Sequence, residues 1–246
     1  MDWPCEVKTL FREENLGCKY AVSGGINWFF GLEEQGIVLE DDCLPSQSFF
    51  WFCEDLLGRY KDDDRVGMIA GTNHISYRPK GGASYLFSKN KACWGWATWR
   101  RSWLTMDFEM AWRKTVFVDD VIANMGITRW RFNRWWKALE AIDTKQVDAW
   151  DWHWYFSKSV QNQLSIFPEE NLVANIGFGE DSTHTKGFAK RSYTDTADLV
   201  FPLTHLSVVC PDASYDLAFE TEKMRPKKSV KRLVPRPIKR FIKEII

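Results

Sequence analysis

The sequence predicts an α/β fold in which a parallel or mostly parallel sheet carries helices on both faces. Two observations support this prediction. Short apolar runs bounded by Gly or Pro alternate with longer segments of helical spacing, which is the order expected of βα units. The chain has 246 residues and is 45% hydrophobic, which suits one large globular domain or two small ones.

Hydrophobic periodicity assigns the elements in order. We expect strands at 6–11, 36–39, 66–70, 84–87, 164–167 and 172–176. We expect helices at 20–34, 47–60, 117–125, 130–142 and 148–163, with Ser46 as the N-cap of the second. Trp96, Trp99 and Trp103 recur at helical spacing, which places at least one of them in the core.

The segment 36–45 places three carboxylates, Glu40, Asp41 and Asp42, directly after an apolar strand. Crowded carboxylates repel one another and lose hydration when they are buried. A hard divalent cation such as Mg²⁺ or Mn²⁺ would relieve both costs and would also hold a phosphorylated substrate. A solvated acidic turn is the alternative interpretation of the same triplet.

Charge is distributed unevenly along the chain. Residues 223–246 carry ten Lys or Arg and one Glu, whereas the preceding 222 residues carry 23 basic and 32 acidic residues. Ile238 to Ile246 predicts a short basic amphipathic helix that would lie on an anionic membrane surface, with a solvated tail as the alternative. Nucleic-acid binding is disfavoured because the body is acidic.

Cysteine usage and hydropathy indicate the cellular setting. Six cysteines show no C-x-x-C pair, so we expect reduced thiols rather than a zinc site or disulfides. No signal peptide and no membrane-spanning run is evident. We therefore expect a cytoplasmic protein, with peripheral association at the inner membrane through the basic tail.

Four landmarks occur in an order that resembles one enzyme family. They are Ile37 to Asp42 followed by Pro45, Ser46, Phe49 and Phe50, then Trp94-Gly95-Trp96, then Trp150-Asp151, and last the polar loop from Gly177 to Thr185. Together they resemble GT-A glycosyltransferases of the N-acetylglucosaminyltransferase I type. The amino-acid sequences of these segments resemble even more closely those of bacterial nucleotide-diphospho-sugar transferases of surface-polysaccharide synthesis.

The resemblance implies a GT-A-like three-layer sandwich. It spans roughly residues 5–190, so we expect a GT-A-like domain at 1–200 and a C-terminal extension with the basic tail at 201–246. In the family, a strand and a helix that bind the base and ribose precede the acidic motif. Only about 36 residues precede that motif here, so we expect the N-terminal nucleotide-binding unit to be incomplete.

The resemblance also implies roles for individual residues. Asp42 would hold the divalent cation, Mn or Mg, against the donor diphosphate, and His184 would be a second metal ligand or only an exposed side chain. Asp151 would be the catalytic base of an inverting transfer or a helix cap, with Asp148 in reserve. Glu40 and Asp41 would orient the donor, and Trp94, Gly95, Trp96 and Trp150 would bind it, although core packing is the alternative for each Trp. His153 is expected to pack rather than to bind metal. Arg100 and Arg101 would either contact phosphate or lie exposed to solvent at the start of a helix.

The activity so implied is sugar transfer from a nucleotide-diphosphate sugar to a hydroxyl of a glycan or lipid-linked acceptor. Such an enzyme neutralises the leaving diphosphate, removes the acceptor proton and aligns the two reactants. The alternative is a non-catalytic carbohydrate-binding or interaction module derived from a truncated glycosyltransferase.

Overall fold

The computed structural model describes residues 4–126, 128–146, 148–177 and 195–224. In these ranges the chain forms seven helices and seven strands. The helices are α1 (Gly17–Leu32), α2 (Gln47–Arg59), α3 (Arg100–Trp103), α4 (Val118–Met125), α5 (Arg129–Asp143), α6 (Asp151–Val160) and α7 (Ala213–Met224). The strands are β1 (Gln35–Val38), β2 (Cys43–Pro45), β3 (Val66–Ala70), β4 (Tyr85–Ser88), β5 (Trp96–Trp99), β6 (Leu164–Pro168) and β7 (Val173–Asn175).

The main sheet has five strands in the order β1-β5-β3-β6-β4. β3 and β6 pair in parallel, whereas β1 with β5, β3 with β5, and β4 with β6 pair antiparallel. The α/β class is confirmed, but the expected mostly parallel sheet is wrong. Parallel neighbours need a long crossover connection. No α-helix joins β3 to β4 or β4 to β5, and β4 and β5 run against the other three strands.

Helices pack on both faces of this sheet because its central strands are apolar on both sides. Ile69 and Ala97 join Phe49, Phe52 and the rest of the α2 face in one core cluster. On the opposite face, neighbouring strand residues such as Met68 join a second cluster with α1, α3 and α6. Successive strand side chains point to opposite faces, so both sides of these strands are buried.

A tryptophan cluster dominates the second face. Trp96 is fully buried, and its ring centroid lies 5.6 Å from Trp150, 5.8 Å from Trp154 and 6.2 Å from Trp103. Aromatic pairs of this kind contribute about 0.5–1.5 kcal/mol each beyond the burial of their surface. The prediction that one of the spaced tryptophans lies in the core is confirmed, although only 100–103 of that segment is helical and 96–99 is a strand.

The C-terminal described segment packs on the same sheet. Tyr215 and Phe219 of α7 contact Phe167 of β6, and Leu199 and Leu203 belong to the α2-side cluster. Residues 195–224 therefore complete the core, and packing is continuous across residue 200. The basic tail lies outside the described residues.

One local prediction needs correction. The strand expected at 6–11 is absent, and residues 4–16 form neither helix nor strand, because an alternating pattern needs a partner to become a strand. The prediction of Ser46 as the N-cap of α2 is confirmed, although its hydroxyl makes no capping hydrogen bond. Within the described part of the chain, no helix combines the length and apolarity that crossing a membrane requires.

Candidate active site

The acidic triplet lies in the turn that joins the edge strand β1 to β2. β1 ends at Val38, and the turn is closed by a hydrogen bond in which the Cys43 amide donates to the Glu40 carbonyl at 3.1 Å. Glu40 and Asp42 are half-buried, whereas Asp41 is exposed. The expected placement of the carboxylates after the strand is therefore correct, although the strand lies at the sheet edge.

Asp42 is held by the end of β7. β2 pairs with β7 so that Cys43 lies opposite Asn175, and the Ile176 amide donates to the Asp42 carbonyl at 2.9 Å. Gly177 packs closely against the Asp42 side chain, so a larger residue there would require the carboxylate to move. The polar loop expected to cover the site begins here, but most of it, including His184, lies outside the described residues.

Asp151 is the first residue of α6. A carboxylate in the first turn of a helix is stabilised by the helix dipole and by unpaired backbone amides. Asp151 lines a cavity of about 400 Å³ together with Glu40, which is 111 positions away in the sequence. Glu40 of the acidic motif and the predicted base thus line one cavity, whereas Asp41 and Asp42 do not line it.

The electrostatics of this cavity centre on Glu40. The pKa of Glu40 is raised from an ordinary value of 4.5 to about 7 by burial, the largest cause, together with the negative charges of Asp42, Asp151 and Asp41 in that order. In the described residues, no side-chain hydrogen bond or ion pair reaches the Glu40 carboxylate. The charges that raise the pKa of Glu40 are those of further carboxylates, which is the condition under which a proton or a cation binds to Glu40.

Asp148, the reserve base, is a helix cap. Its carboxylate accepts hydrogen bonds from the amides of Cys18 at 3.2 Å and Lys19 at 3.3 Å, at the start of α1. A Cβ on Gly17 would lie 2.5 Å from Asp148, so the carboxylate packs against that backbone. Asp148 therefore also lines the cavity but is engaged in holding α1.

The three residues of the Trp94-Gly95-Trp96 segment take different places. Trp94 is half-buried and lines the cavity. Gly95 has φ +62° and a Cβ there would lie 2.7 Å from Val173, so this glycine lets the chain turn closely under β7. The structure corrects the expectation that Trp96 binds donor, because a fully buried ring has no face for a sugar.

Trp150, Arg100 and Arg101 mainly stabilise the fold. Trp150 is 2% exposed and stacks on Trp96, so it forms part of the cavity wall but offers little surface to a ligand. Arg100 bonds the carbonyl of Phe30 and the carboxylate of Glu34.

Arg101 donates to the carbonyls of Tyr60, Lys61 and Asp63. The phosphate contacts considered for both arginines are therefore not supported.

His153 is buried, as expected of a packing residue. Its ring lies 5.2 Å from that of Phe108, and its Nε2 is 3.4 Å from Lys19 Nζ. The pKa of His153 is lowered to about 4, with burial as the largest cause and the charge of Lys19 as the second. The imidazole is therefore neutral at physiological pH.

Sequence reasoning missed a group of basic residues beside this cavity. Lys91, Arg131 and Arg134 line an adjoining cavity of about 200 Å³, which shares Trp94 and Asp151 with the first. The spacing of Arg131 and Arg134, three residues apart in a predicted helix, was the available signal because such residues lie on one helix face. Their proximity to Asp151 depends on the packing of α5 against α6.

The oxygen ligands at the acidic turn suit a hard cation such as Mg²⁺ or Mn²⁺. Within the described residues, no group of three or more His, Cys, Asp or Glu is arranged to hold a metal ion. Mg²⁺ commonly binds through only one or two carboxylates and completes its shell with water and substrate phosphates. Asp42, with the phosphates of a bound substrate, fits that mode.

Comparison with known proteins adds no relative to this description. No protein-family model matches the chain, and no curated protein sequence matches it. The functional conclusion therefore depends on the residues and on the geometry of the two cavities.

Proposed function

We propose that this protein is a metal-dependent glycosyltransferase that moves a sugar from a nucleotide-diphosphate donor to a hydroxyl of a glycan or lipid-linked acceptor. One observation carries the proposal. Glu40 of the acidic turn and Asp151 of α6 line the same cavity, and the Asp151 charge contributes to the raised pKa of Glu40. The resemblance of the four sequence landmarks to GT-A glycosyltransferases supports the same conclusion.

Asp42 would hold the cation, and Glu40 and Asp41 would orient the donor. The cation supplies a positive charge that neutralises the leaving diphosphate. The position of Asp42 is restricted, because it adjoins the paired strands β2 and β7 and its side chain packs against Gly177. A fixed carboxylate loses little entropy when a ligand binds to it.

Asp151 would act as the base of an inverting displacement. The acceptor hydroxyl gives its proton to the Asp151 carboxylate, and its oxygen forms a bond to the anomeric carbon of the donor. The bond from that carbon to the diphosphate breaks, and its electron pair leaves with the nucleoside diphosphate. Trp94 and Trp152 flank Asp151 along the cavity and would limit the access of water, which strengthens electrostatic interactions there.

Binding of donor and metal is the direct test. Titration calorimetry with a panel of nucleotide-diphosphate sugars and nucleoside diphosphates should show binding that requires Mn²⁺. Asp42→Asn should weaken Mn²⁺-dependent binding by about 10–100-fold, because one anionic ligand is lost. Asp62→Asn is the matched control, since the Asp62 side chain is 86% exposed in the turn after α2.

Two outcomes would contradict the proposal. If no nucleotide binds with or without Mn²⁺, the enzyme interpretation fails for this chain. If saccharides bind while every nucleotide fails, the alternative of a non-catalytic carbohydrate-binding module is favoured instead.

A further inference from the structure

The second cavity lies on the other side of Asp151 from the acidic turn. The two cavities share Cys93, Trp94, Asp151 and Trp152, but their remaining linings have opposite charge. Glu40 and Asp148 belong to the first cavity, whereas Arg131 and Arg134 belong to the second. Lys91 also lines the second cavity, but its pKa is lowered to about 7, mainly by burial, and its Nζ donates to the Lys89 carbonyl and the Ser159 hydroxyl. The Asp151 carboxylate lines both cavities, so it is placed to contact a different ligand in each.

Arg131 is a buried cation with unused bonding capacity. Its side chain is 6% exposed, and its Nη2 donates to Asn90 Oδ1 at 3.0 Å. Its Nε has no hydrogen-bond partner among the described residues. The ring of Trp135 lies 4.9 Å from its guanidinium carbon and fixes the orientation of the group. A buried donor without a partner is costly, so a ligand that accepts from it binds favourably.

The acidic groups that face Arg131 from α7 are already engaged. Glu220 accepts from the Thr128 amide at 3.0 Å and from its hydroxyl at 2.6 Å. Asp216 accepts from Asn90 at 2.9 Å and from the Lys89 amide at 3.4 Å. Neither residue lines the cavity.

Arg134 adds a second guanidinium group from the same face of α5. Its side chain is exposed, and its guanidinium carbon lies 5.7 Å from the ring centroid of Trp152. In the described residues, no ion pair involves Arg131 or Arg134. Two guanidinium groups on one helix face suit a carboxylate or a phosphate, which accepts several hydrogen bonds.

Aromatic rings provide the rest of the cavity surface. Trp94 and Trp152 are both half-buried and line both cavities. The ring of His74 meets that of Trp94 edge to face at 5.1 Å, which holds the indole in place. Flat aromatic faces beside polar groups bind the apolar C–H faces of sugar rings.

We propose that the second cavity binds the acceptor, and that the acceptor is an anionic saccharide. Its carboxylate or phosphate would bind Arg131 and Arg134, its ring would pack on Trp94 and Trp152, and its hydroxyl would face Asp151. This inference rests on the proposed function, because it assigns the acceptor to the second cavity beside the proposed base, Asp151. It adds the chemical class of the acceptor.

Matched saccharides test the charge requirement on the full chain. The anionic probes are methyl glucuronide, which carries a carboxylate, and glucose 6-phosphate. The neutral probe is methyl glucoside. Calorimetry or ligand-observed NMR should show that at least one anionic probe binds roughly tenfold more tightly than the neutral one. The stronger of the two anionic probes identifies the anion that the acceptor carries.

Variants on α5 locate the binding. Arg134→Gln should remove the preference for the anionic probe, whereas Lys137→Gln should preserve it. Lys137 is an exposed cation on the same helix that does not line the cavity. Because Arg134 is exposed, its replacement leaves the fold intact. Equal affinity for neutral and anionic probes, or an unchanged preference in Arg134→Gln, would overturn the proposal.

Two further measurements separate this inference from the proposed function. Asp42→Asn should weaken nucleotide binding while anionic-saccharide binding persists. A nucleoside diphosphate should not displace the anionic saccharide, and competition between them would mean that the basic cavity is part of the donor site. If nucleotides never bind but the charge preference depends on Arg134, the proposed transfer fails and the anionic-saccharide site stands.

Discussion

Two carboxylates in this protein have raised pKa values, but their surroundings differ. Asp216 is 4% exposed, and burial raises its pKa, but it accepts hydrogen bonds from Ser88, Asn90 and the Lys89 amide. Glu40 is only half-buried, yet its pKa rises to about 7, and every cause raises it. Burial is the largest cause in both.

The difference shows how a structural carboxylate is distinguished from a functional one. Donors around Asp216 replace the water that burial removed, so this residue joins α7 to the end of β4. Around Glu40, the nearby charges are further carboxylates, and balance must come from a proton or a cation. The number of donors that face a carboxylate is therefore more informative than its burial.

The largest expected effect comes from Asp151, one of the carboxylates that raise the pKa of Glu40. If Asp151 is the base, Asp151→Asn should lower the rate of sugar transfer by about 10²–10⁴-fold, because an amide cannot accept the proton. Binding of donor should be unchanged in calorimetry. The pKa of Glu40 should also fall, which NMR titration of its side chain would detect.

A matched control is available for this variant. Asp119 is an exposed carboxylate in the first turn of α4, as Asp151 is in the first turn of α6. Asp119→Asn should leave both rate and binding unchanged. Loss of donor binding in Asp151→Asn would instead show that Asp151 is structural, and a comparable loss of rate in Asp148→Asn would assign the base to Asp148.

Removal of Asp216 should mainly affect stability. Asp216→Ala leaves the donors of Ser88, Lys89 and Asn90 without an acceptor in a buried site, so the free energy of unfolding should fall by about 2–4 kcal/mol. Urea denaturation measures this change. Leu217→Ala, at an exposed position on the same helix, should cost less than about 0.5 kcal/mol. Equal effects of the two variants would contradict a structural role for Asp216.

Replacement of Glu40 should change the free energy of unfolding less than replacement of Asp216 does, and it should raise that free energy rather than lower it. The folded protein binds a proton at Glu40 more tightly than the unfolded chain does, so its contribution to stability is full below about pH 4.5 and is lost as the pH rises toward 7. Glu40→Gln removes this loss and should raise the free energy of unfolding at pH 8 by about 1 kcal/mol. We discount the full effect of the pKa shift because water screens a half-exposed group.

Divalent cation sharpens the test of Glu40. Mn²⁺ should stabilise the wild-type protein against heat more than it stabilises Glu40→Gln, because the variant presents one fewer negative charge to the ion. Thermal unfolding at pH 8 with and without Mn²⁺ provides the measurement. Between pH 4.5 and 7, the stability of the wild-type protein should fall relative to that of Glu40→Gln. If it does not, the electrostatic description of this site is refuted.

Much of the framework was predictable from local patterns. Helices α2, α4 and α5 and strands β3 and β6 lie within a residue or two of their predicted bounds, because their periodicity is strong. The carboxylate turn after β1 was also predicted, as was a helix that includes Asp151, although it was expected over 148–163 and α6 is Asp151–Val160. Strand direction was not, since an apolar run looks the same whichever way its partner runs.

Some candidate site residues were misjudged for a related reason. Trp94 and Trp96 are the same residue type two positions apart, but Gly95 between them has φ +62° and turns the chain, so that Trp94 lines the cavity and Trp96 lies in the core. Spacing alone would place both side chains on one face of a strand, so the sequence does not show that they diverge. Helix α7 was missed because its stability depends on Tyr215 and Phe219 packing on Phe167, not on a strong periodic pattern of its own.

The sequence alone determined the kinds of groups available: a run of carboxylates after a strand, an aspartate at the start of a helix, and two arginines on one helix face. Local propensity and spacing are sufficient for that, because they concern residues close together in the chain. The tertiary structure decided which groups meet. Glu40, Asp151 and Arg131 come from separate elements, and the packing of the helices and strands brings the first two to one cavity and the last two to its neighbour.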